Sequence, residues 1–255
     1  MLKKGSTSVT QSSDSQLEAR ERLWQSFANA PLDDAEKERN LGLFIRSASL
    51  ARMLAISDLY REIVPLPGSV LDFGTWRGQN AVLCENLRAI FEPFNKQRRV
   101  AAFDTFAGYK SHASDSKVDN EHFQDGCYDT GSGYADYLRH LLAVHESINA
   151  LPQVSSGHQV VEGDIKDTLP RFIEENRNLL VALAFFDMNL EGPTRFALEQ
   201  ILPRCVPGSQ LAFFQLQRDF LPGEGYAYVA EVLGKVRHEI KRSQTYPSLC
   251  IVKLL

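Results

Sequence analysis

Several things are scarce in this 255-residue chain, and each scarcity excludes something. There are four cysteines, Cys84, Cys127, Cys205 and Cys250, far apart and without a CxxC pair. That argues against a disulfide framework or a zinc ribbon and fits a reduced, cytoplasmic chain. No apolar run is long enough to cross a bilayer. The first residues, MLKKGSTSVTQSSDS, lack the apolar core of a secretory signal and are expected to form a disordered polar tail over 1–15. Charge of one sign is also missing. The net charge is −4 and basic residues are scattered, so nothing favours nucleic acid as a partner. The short cluster Lys96, Arg98 and Arg99 reads as a solvated turn before a strand. With 44% hydrophobic and 24% charged residues, composition is that of an ordinary soluble globular protein.

What is present is a strong local pattern at 70–80, VLDFGTWRGQN. Val70, Leu71 and Phe73 have the length of a buried strand. Gly74 and Gly78 bracket a turn, and Ala81, Val82, Leu83, Leu87 and Ile90 follow at helical spacing. Glycines allow close backbone approach, and the helix N-terminus offers unpaired N–H groups. The spacing Gly-x-x-x-Gly is not the Gly-x-Gly-x-x-Gly of dinucleotide binders, and an ordinary strand-to-helix turn can carry it too.

Before this turn, residues 16–66 read as helical: a stretch interrupted by Pro31, then a helix over Leu41–Tyr60. Pro65, Pro67 and Gly68 end the layer, which is expected to be a helical cap. After it, strands and helices alternate: RVAAF at 99–103, QVVE at 159–162, LLVALAFF at 179–186 and an apolar strand over Gln210–Leu216, with Pro207-Gly208 as a turn before it. Two strand-like segments close the chain, at Val236–Ser243 and Ser248–Leu254. Alternation of this kind implies an α/β fold with a mainly parallel sheet covered on both faces. Residues 105–135 break the periodicity and read as a lid insertion. His112, His122, Asp115, Asp119 and Asp125 lie there without tight ligand spacing, so no metal is expected on them.

Four acids, Asp72, Asp104, Asp164 and Asp187, fall near strand C-terminal ends, where open α/β sheets bind ligands. Asp104 at the tip of the second strand suits ribose hydroxyls, although helix capping is an equal alternative when it is taken alone. Asp164 could lie near an adenine amino group or cap a helix.

The pieces VLDFGTWRGQN, AAFDTFAGY, VVEGDIKDTLPRF, ALAFFDMNLEGPTRFALEQILPR and FLPGE together resemble the macrocin and mycinamicin type O-methyltransferases, class I enzymes that use S-adenosyl-L-methionine (SAM). The resemblance runs from about Asn40 to Leu233. It implies a Rossmann-like, mainly parallel seven-stranded sheet ending in an antiparallel pair, with the SAM-binding domain over 67–255. It also implies that Gly74 and Gly78 line the methionine part of SAM, with Asp72 and Thr75 among the cofactor-binding residues. Asp104, Thr105 and Phe106 would meet the ribose, and Asp164 and Ile165 the adenine. A homo-oligomer is a further expectation.

The reactive end departs from the family pattern. Those enzymes carry Asp-x-Asp-x-Tyr after the central strand and two acids after the next, which hold magnesium. Here Asp187 is kept, Asn189 replaces the second acid, and Phe214-Gln215 fall at the acidic pair. Magnesium commonly relies on carboxylates, so a metal-independent enzyme is expected. The candidate catalytic residues are Asp187, Asn189, Phe214 and Gln215, with Phe214 a possible cation–π partner for a sulfonium. Three outcomes remain open at this point: O- or N-methylation of a small-molecule acceptor, cyclisation of SAM with release of methylthioadenosine, or SAM binding without chemistry.

Overall fold

Runs of apolar residues on both sides of a backbone can be buried only if both faces of the sheet are covered. The computed structural model, which describes residues 12–109, 125–149, 157–219 and 221–255, shows this arrangement. A seven-stranded sheet has the order β3-β2-β1-β4-β5-β7-β6. Its strands are β1 (Ser69–Phe73), β2 (Val100–Asp104), β3 (Gln159–Glu162), β4 (Val181–Phe186), β5 (Cys205–Phe213), β6 (His238–Arg242) and β7 (Cys250–Leu254). The first five pair in parallel, while β7 runs antiparallel to both β5 and β6, so the sheet is mixed.

Alternate residues feed two cores. Val70, Ala102, Phe185 and Ala212 face one, and Leu71, Phe73, Phe103, Phe186 and Phe213 face the other. The second face carries a ladder of rings across four strands. Phe103 to Phe73 is 5.1 Å, Phe73 to Phe186 is 5.4 Å and Phe186 to Phe213 is 4.7 Å. Each buried ring contributes roughly 1.5–3 kcal/mol, and the ladder brings the four strand ends to one level. The helices α4 (Gln79–Phe91), α5 (Tyr134–Asn149), α6 (Ile165–Glu175), α7 (Glu191–Ile201) and α8 (Gly223–Glu231) connect the strands. The chain passes from β1 outward to β3 and then crosses back to β4 beside β1, so the strand order reverses between β1 and β4.

Upstream lie α1 (Asp14–Ala28), α2 (Asp34–Arg39), a 3-10 turn over Leu41–Phe44 and α3 (Ser47–Ile63). Capping boxes start the first two, Ser13 with Gln16 and Asp33 with Glu36. The single helix expected over Leu41–Tyr60 is broken, because Ile45 is extended (φ −79°, ψ 121°). The chain divides into two compact units inside α3, between Arg52 and Met53. The later half of α3, through Ala55, Ile56, Leu59, Tyr60 and Ile63, belongs to the core of the α/β unit.

Two further expectations are corrected. Arg98 is not a solvated turn residue but 1% exposed. Its guanidinium donates to Glu92 (Nε to Oε2 2.9 Å) and to the Ile63 and Leu66 carbonyls, tying the end of α3 to the start of β2. Burial alone would push the Glu92 carboxyl up, but the Arg98 and Tyr60 donors outweigh it and hold it below the ordinary value. Pro207-Gly208 is not a turn before β5 but lies within it. The register with β4 jumps from Val181↔Cys205 to Leu183↔Gln210, so this segment bulges out of the ladder. Residues 1–11 of the expected tail, and 110–124 of the expected lid with His112, Asp115, Asp119 and His122, lie outside the described residues.

Candidate functional site

Five strand ends are stitched together just beyond the sheet. Gly74 and Thr75 N–H groups donate to the Phe103 carbonyl, Gly163 N–H to Asp104, Asp187 N–H to Phe73 and Phe214 N–H to Phe186. The glycine turn therefore sits beside the ends of β2, β3, β4 and β5, at the crevice where α/β sheets bind ligands.

The two glycines are required by neighbours. A Cβ on Gly74 (φ +77°) would lie 2.6 Å from the Asp187 carbonyl oxygen, and one on Gly78 (φ +78°) would lie 2.2 Å from Leu138 Cδ1 on α5. Gly74 thus lets β1 and the end of β4 close together, and Gly78 lets α5 pack on the start of α4. Asp72 is fully buried beneath the turn, accepting from Thr75 Oγ1 (2.5 Å) and Asn80 Nδ2 (3.0 Å). These bonds assign Asp72 and the Thr75 hydroxyl to bracing the turn.

Asp104 faces the turn from β2. Its Oδ2 accepts from the Trp76 N–H (2.7 Å) and its Oδ1 from the Phe106 N–H (2.8 Å). Burial pushes this carboxyl up against the pull of those N–H groups, and the Asp187 charge adds to the rise. Thr105 Oγ1 donates to the Gly108 carbonyl, closing the next turn, and Phe106 is buried against Tyr134. Asp164 caps α6, accepting from the Lys166 N–H at 2.9 Å, and Ile165 is buried behind it.

At the ends of β4 and β5, Asp187, Asn189 and Gln215 meet an acid that is not among the candidates read from the sequence. Glu224 is fully buried. Its Oε2 accepts from the Gln215 N–H (2.7 Å) and its Oε1 from the Asn189 N–H (3.4 Å). One carboxyl thereby bridges the segments that follow β4 and β5. Burial pushes Glu224 well above the ordinary carboxylate range, and the nearby Asp187 charge pushes it further. Asn189 is 8% exposed and its Nδ2 donates to the Tyr109 hydroxyl. Its Oδ1, like the Oε1 of Gln215, is buried without a hydrogen-bond partner among the described residues. Phe214 is 2% exposed, stacked on Phe185 and edge-on to Tyr246, which gives its ring a packing role.

Three aromatic residues complete the surroundings. Tyr109 and Tyr128 meet at 5.3 Å, and Trp76 and Tyr128 at 5.8 Å. Burial raises both tyrosine hydroxyls above their ordinary value, and the Asp187 charge contributes to each. The non-glycine residues with left-handed backbone among those described are Trp76, Phe106, Tyr128 and Asn189. All four lie around this crevice. Asparagine tolerates that conformation, but for the bulky aromatics it is strained, as is common at ligand sites. Tyr109, Tyr128, Trp76 and Glu224 carried no spacing signal, because their partners are distant in sequence: Tyr109 and Asn189 are 80 residues apart.

The Asp104 and Asp187 carboxylates are near enough for the Asp187 charge to raise the Asp104 carboxyl, with Trp76, Tyr109 and Tyr128 around them, a combination that suits a cationic ligand with a diol. Solved structures agree. The chain is 32% identical to CalS11, the calicheamicin methyltransferase, with a TM-score of 0.88 over 96% of this chain and 94% of that one. An apo structure of CalS11, described as a TDP-rhamnose 3′-O-methyltransferase of calicheamicin biosynthesis, gives 30% identity and a TM-score of 0.82 over 96% of each chain. The O-methyltransferase NovP shares the fold, at 16% identity and a TM-score of 0.60 over 80% of this chain and 79% of that one. No protein-family model and no curated protein matches the chain. The fold and crevice define a class I SAM-dependent methyltransferase. The chain belongs to that family, with CalS11 among its relatives, and acts as a transferase with SAM as its cofactor.

Proposed function

We propose that the chain methylates a hydroxyl group on a sugar-type small molecule without help from a metal ion. The observation that carries this reading is the pair of buried, unpartnered amide oxygens, Asn189 Oδ1 and Gln215 Oε1. A buried acceptor left unmatched costs about 1–3 kcal/mol, so these atoms suit a ligand that brings hydrogen-bond donors. Neighbouring hydroxyls of a sugar supply them. As a magnesium set, Asp187 with two neutral amides offers a single carboxylate, a weak return for stripping the ion of water. CalS11 acts on a sugar hydroxyl by its description, which supports the same class of acceptor here.

Asp104 would hold the ribose diol of SAM, the Gly74–Gly78 turn its methionine part, and Asp164 with Ile165 its adenine. When bound, the cofactor supplies an electrophilic methyl group on a sulfonium. Asp187, at the tip of β4, accepts the proton of the acceptor hydroxyl. Asn189 and Gln215 orient that hydroxyl and its neighbour, and Glu224 holds both backbones in place. Tyr109 fixes the Asn189 amide so that its oxygen faces the acceptor. Positioning of this kind supplies much of the rate in a displacement. The site is proposed to work in a cytoplasmic enzyme, and no helix among the described residues is long and apolar enough to cross a membrane.

Asn189→Ala tests the reading. Loss of one buried hydrogen bond to the acceptor should lower kcat/KM about tenfold or more while SAM affinity is kept. Unchanged kcat/KM in this variant would refute the assignment.

A further inference from the structure

The two edges of the sheet are finished differently. β3 forms one edge, and Arg139 on α5 covers it: its Nε and Nη2 donate to the Val160 carbonyl at 3.2 and 3.1 Å. β6 forms the other edge, and among the described residues no strand lies beyond it. An unpaired edge recruits a further strand unless something blocks it. β6 contains no proline and no bulge, since His238 to Arg242 pair residue by residue with Leu254 to Cys250.

The direction of its free backbone groups follows from that ladder. The Ser243 N–H donates to the Leu249 carbonyl (2.8 Å), and the Leu255 N–H donates to the Arg237 carbonyl (3.0 Å). Hydrogen-bonded and non-hydrogen-bonded pairs alternate along antiparallel strands, so Glu239 and Lys241 bond inward to β7. The N–H and C=O groups of His238, Ile240 and Arg242 then point away from the sheet. Antiparallel pairing with a second β6, about a two-fold axis at Ile240, uses all of them: Ile240 meets its own copy and His238 meets Arg242 of the partner subunit. The same register sets Glu239 directly opposite Lys241 of the partner subunit, at the non-hydrogen-bonded positions where side chains come closest. Moving the axis by one residue would set Glu239 against its own copy, or Lys241 against its own. Opposite charges therefore select one register for self-pairing. Ile240 is exposed beside Tyr226 and Val229 of α8, around the open depression that these three residues share, so the same contact has apolar surface to cover.

We propose that two copies of this chain associate edge to edge through β6, joining two seven-stranded sheets into one. A two-fold contact of this kind closes after two copies, because each edge is used up by the other. The pairing goes beyond the acceptor reading and does not depend on it.

Analytical ultracentrifugation of the full chain over a concentration series is the test, and it should report a dimer. Glu239→Lys or Lys241→Glu alone sets like charges opposite each other at both pairs, and each should weaken the dimer about tenfold or more. Mixed in equal amounts, these two variants present opposite charges at both pairs, so a heterodimer should form within about threefold of the unaltered affinity. A charge effect confined to one chain would not be repaired by mixing. Ile240→Pro removes the outward N–H at the axis and leaves the inward bonds of Glu239 and Lys241, and it should also weaken the dimer about tenfold or more. Circular dichroism checks that each variant is folded, and the charge variants decide if the proline variant is not. A chain that stays monomeric throughout, an assembly that the charge variants leave unchanged, or charge variants that remain apart on mixing would each overturn the proposal.

Discussion

Asp104→Asn separates ligand binding from turn architecture. The carboxylate accepts one N–H on each oxygen, from Trp76 at 2.7 Å and from Phe106 at 2.8 Å, and both donors belong to residues with positive φ (50° and 55°). Asparagine keeps one oxygen and turns an amide NH2 toward the other donor. One charge-assisted bond is lost, which costs about 1.5–3 kcal/mol of stability. If the same carboxylate holds the ribose diol, weakening one bond to a charged acceptor lowers cofactor affinity by about 10- to 100-fold. Asp72→Asn is the matched control. Asp72 is buried and bonded to Thr75 and Asn80, so it should destabilise by a similar amount, yet leave the affinity of the folded protein within about threefold. Urea denaturation measures the first quantity and calorimetric titration with S-adenosylhomocysteine the second. An Asp104→Asn protein that is fully folded and binds S-adenosylhomocysteine as tightly as the unaltered chain would refute the ribose assignment.

Two other outcomes follow from the structure. Glu85 is buried between Arg88 (2.7 Å) and His158 (2.6 Å); burial alone would raise its carboxyl, but these partners outweigh it and hold it at about 2. The contribution of the ionised group is therefore complete above the ordinary carboxylate range and is lost as pH falls from there through about 2. Glu85→Gln should cost roughly 3 kcal/mol near neutral pH and flatten the acid limb of a stability profile measured by denaturation. Gly78→Ala would set a Cβ 2.2 Å from Leu138 Cδ1 at φ +78°, so thermal and chemical denaturation should show a loss of about 2–4 kcal/mol.

The sheet was legible in the sequence because both of its faces are apolar: LLVALAFF and RVAAF announce buried strands by content alone. What escaped depended on contacts that local pattern does not carry. Pro207-Gly208 has turn composition, yet β5 continues through it by bulging. Arg98 has the look of surface charge, yet it finds three carbonyls and Glu92 from segments that sequence separation hides. Ile45 breaks a run whose apolar spacing reads as one helix. In the candidate site, the strand-end positions of Asp104, Asp164 and Asp187 were visible because β-strands place their C-terminal neighbours at one edge. The bracing of Asp72 is local, from Thr75 and Asn80, but the bridge made by Glu224 and the aromatic surroundings of Trp76, Tyr109 and Tyr128 emerge only when loops 9 to 80 residues apart are folded together.

The central claim is a metal-free methyl transfer to a sugar hydroxyl, and product analysis tests it most directly. The purified chain is incubated with SAM, with and without a thymidine-diphosphate-linked deoxysugar, in excess chelator, and the products are identified by mass spectrometry. The account predicts S-adenosylhomocysteine and singly methylated sugar in equal amounts, only when the acceptor is present, at a rate the chelator does not change. Methylthioadenosine formed from SAM alone, or turnover that stops in chelator and returns with magnesium, would contradict it.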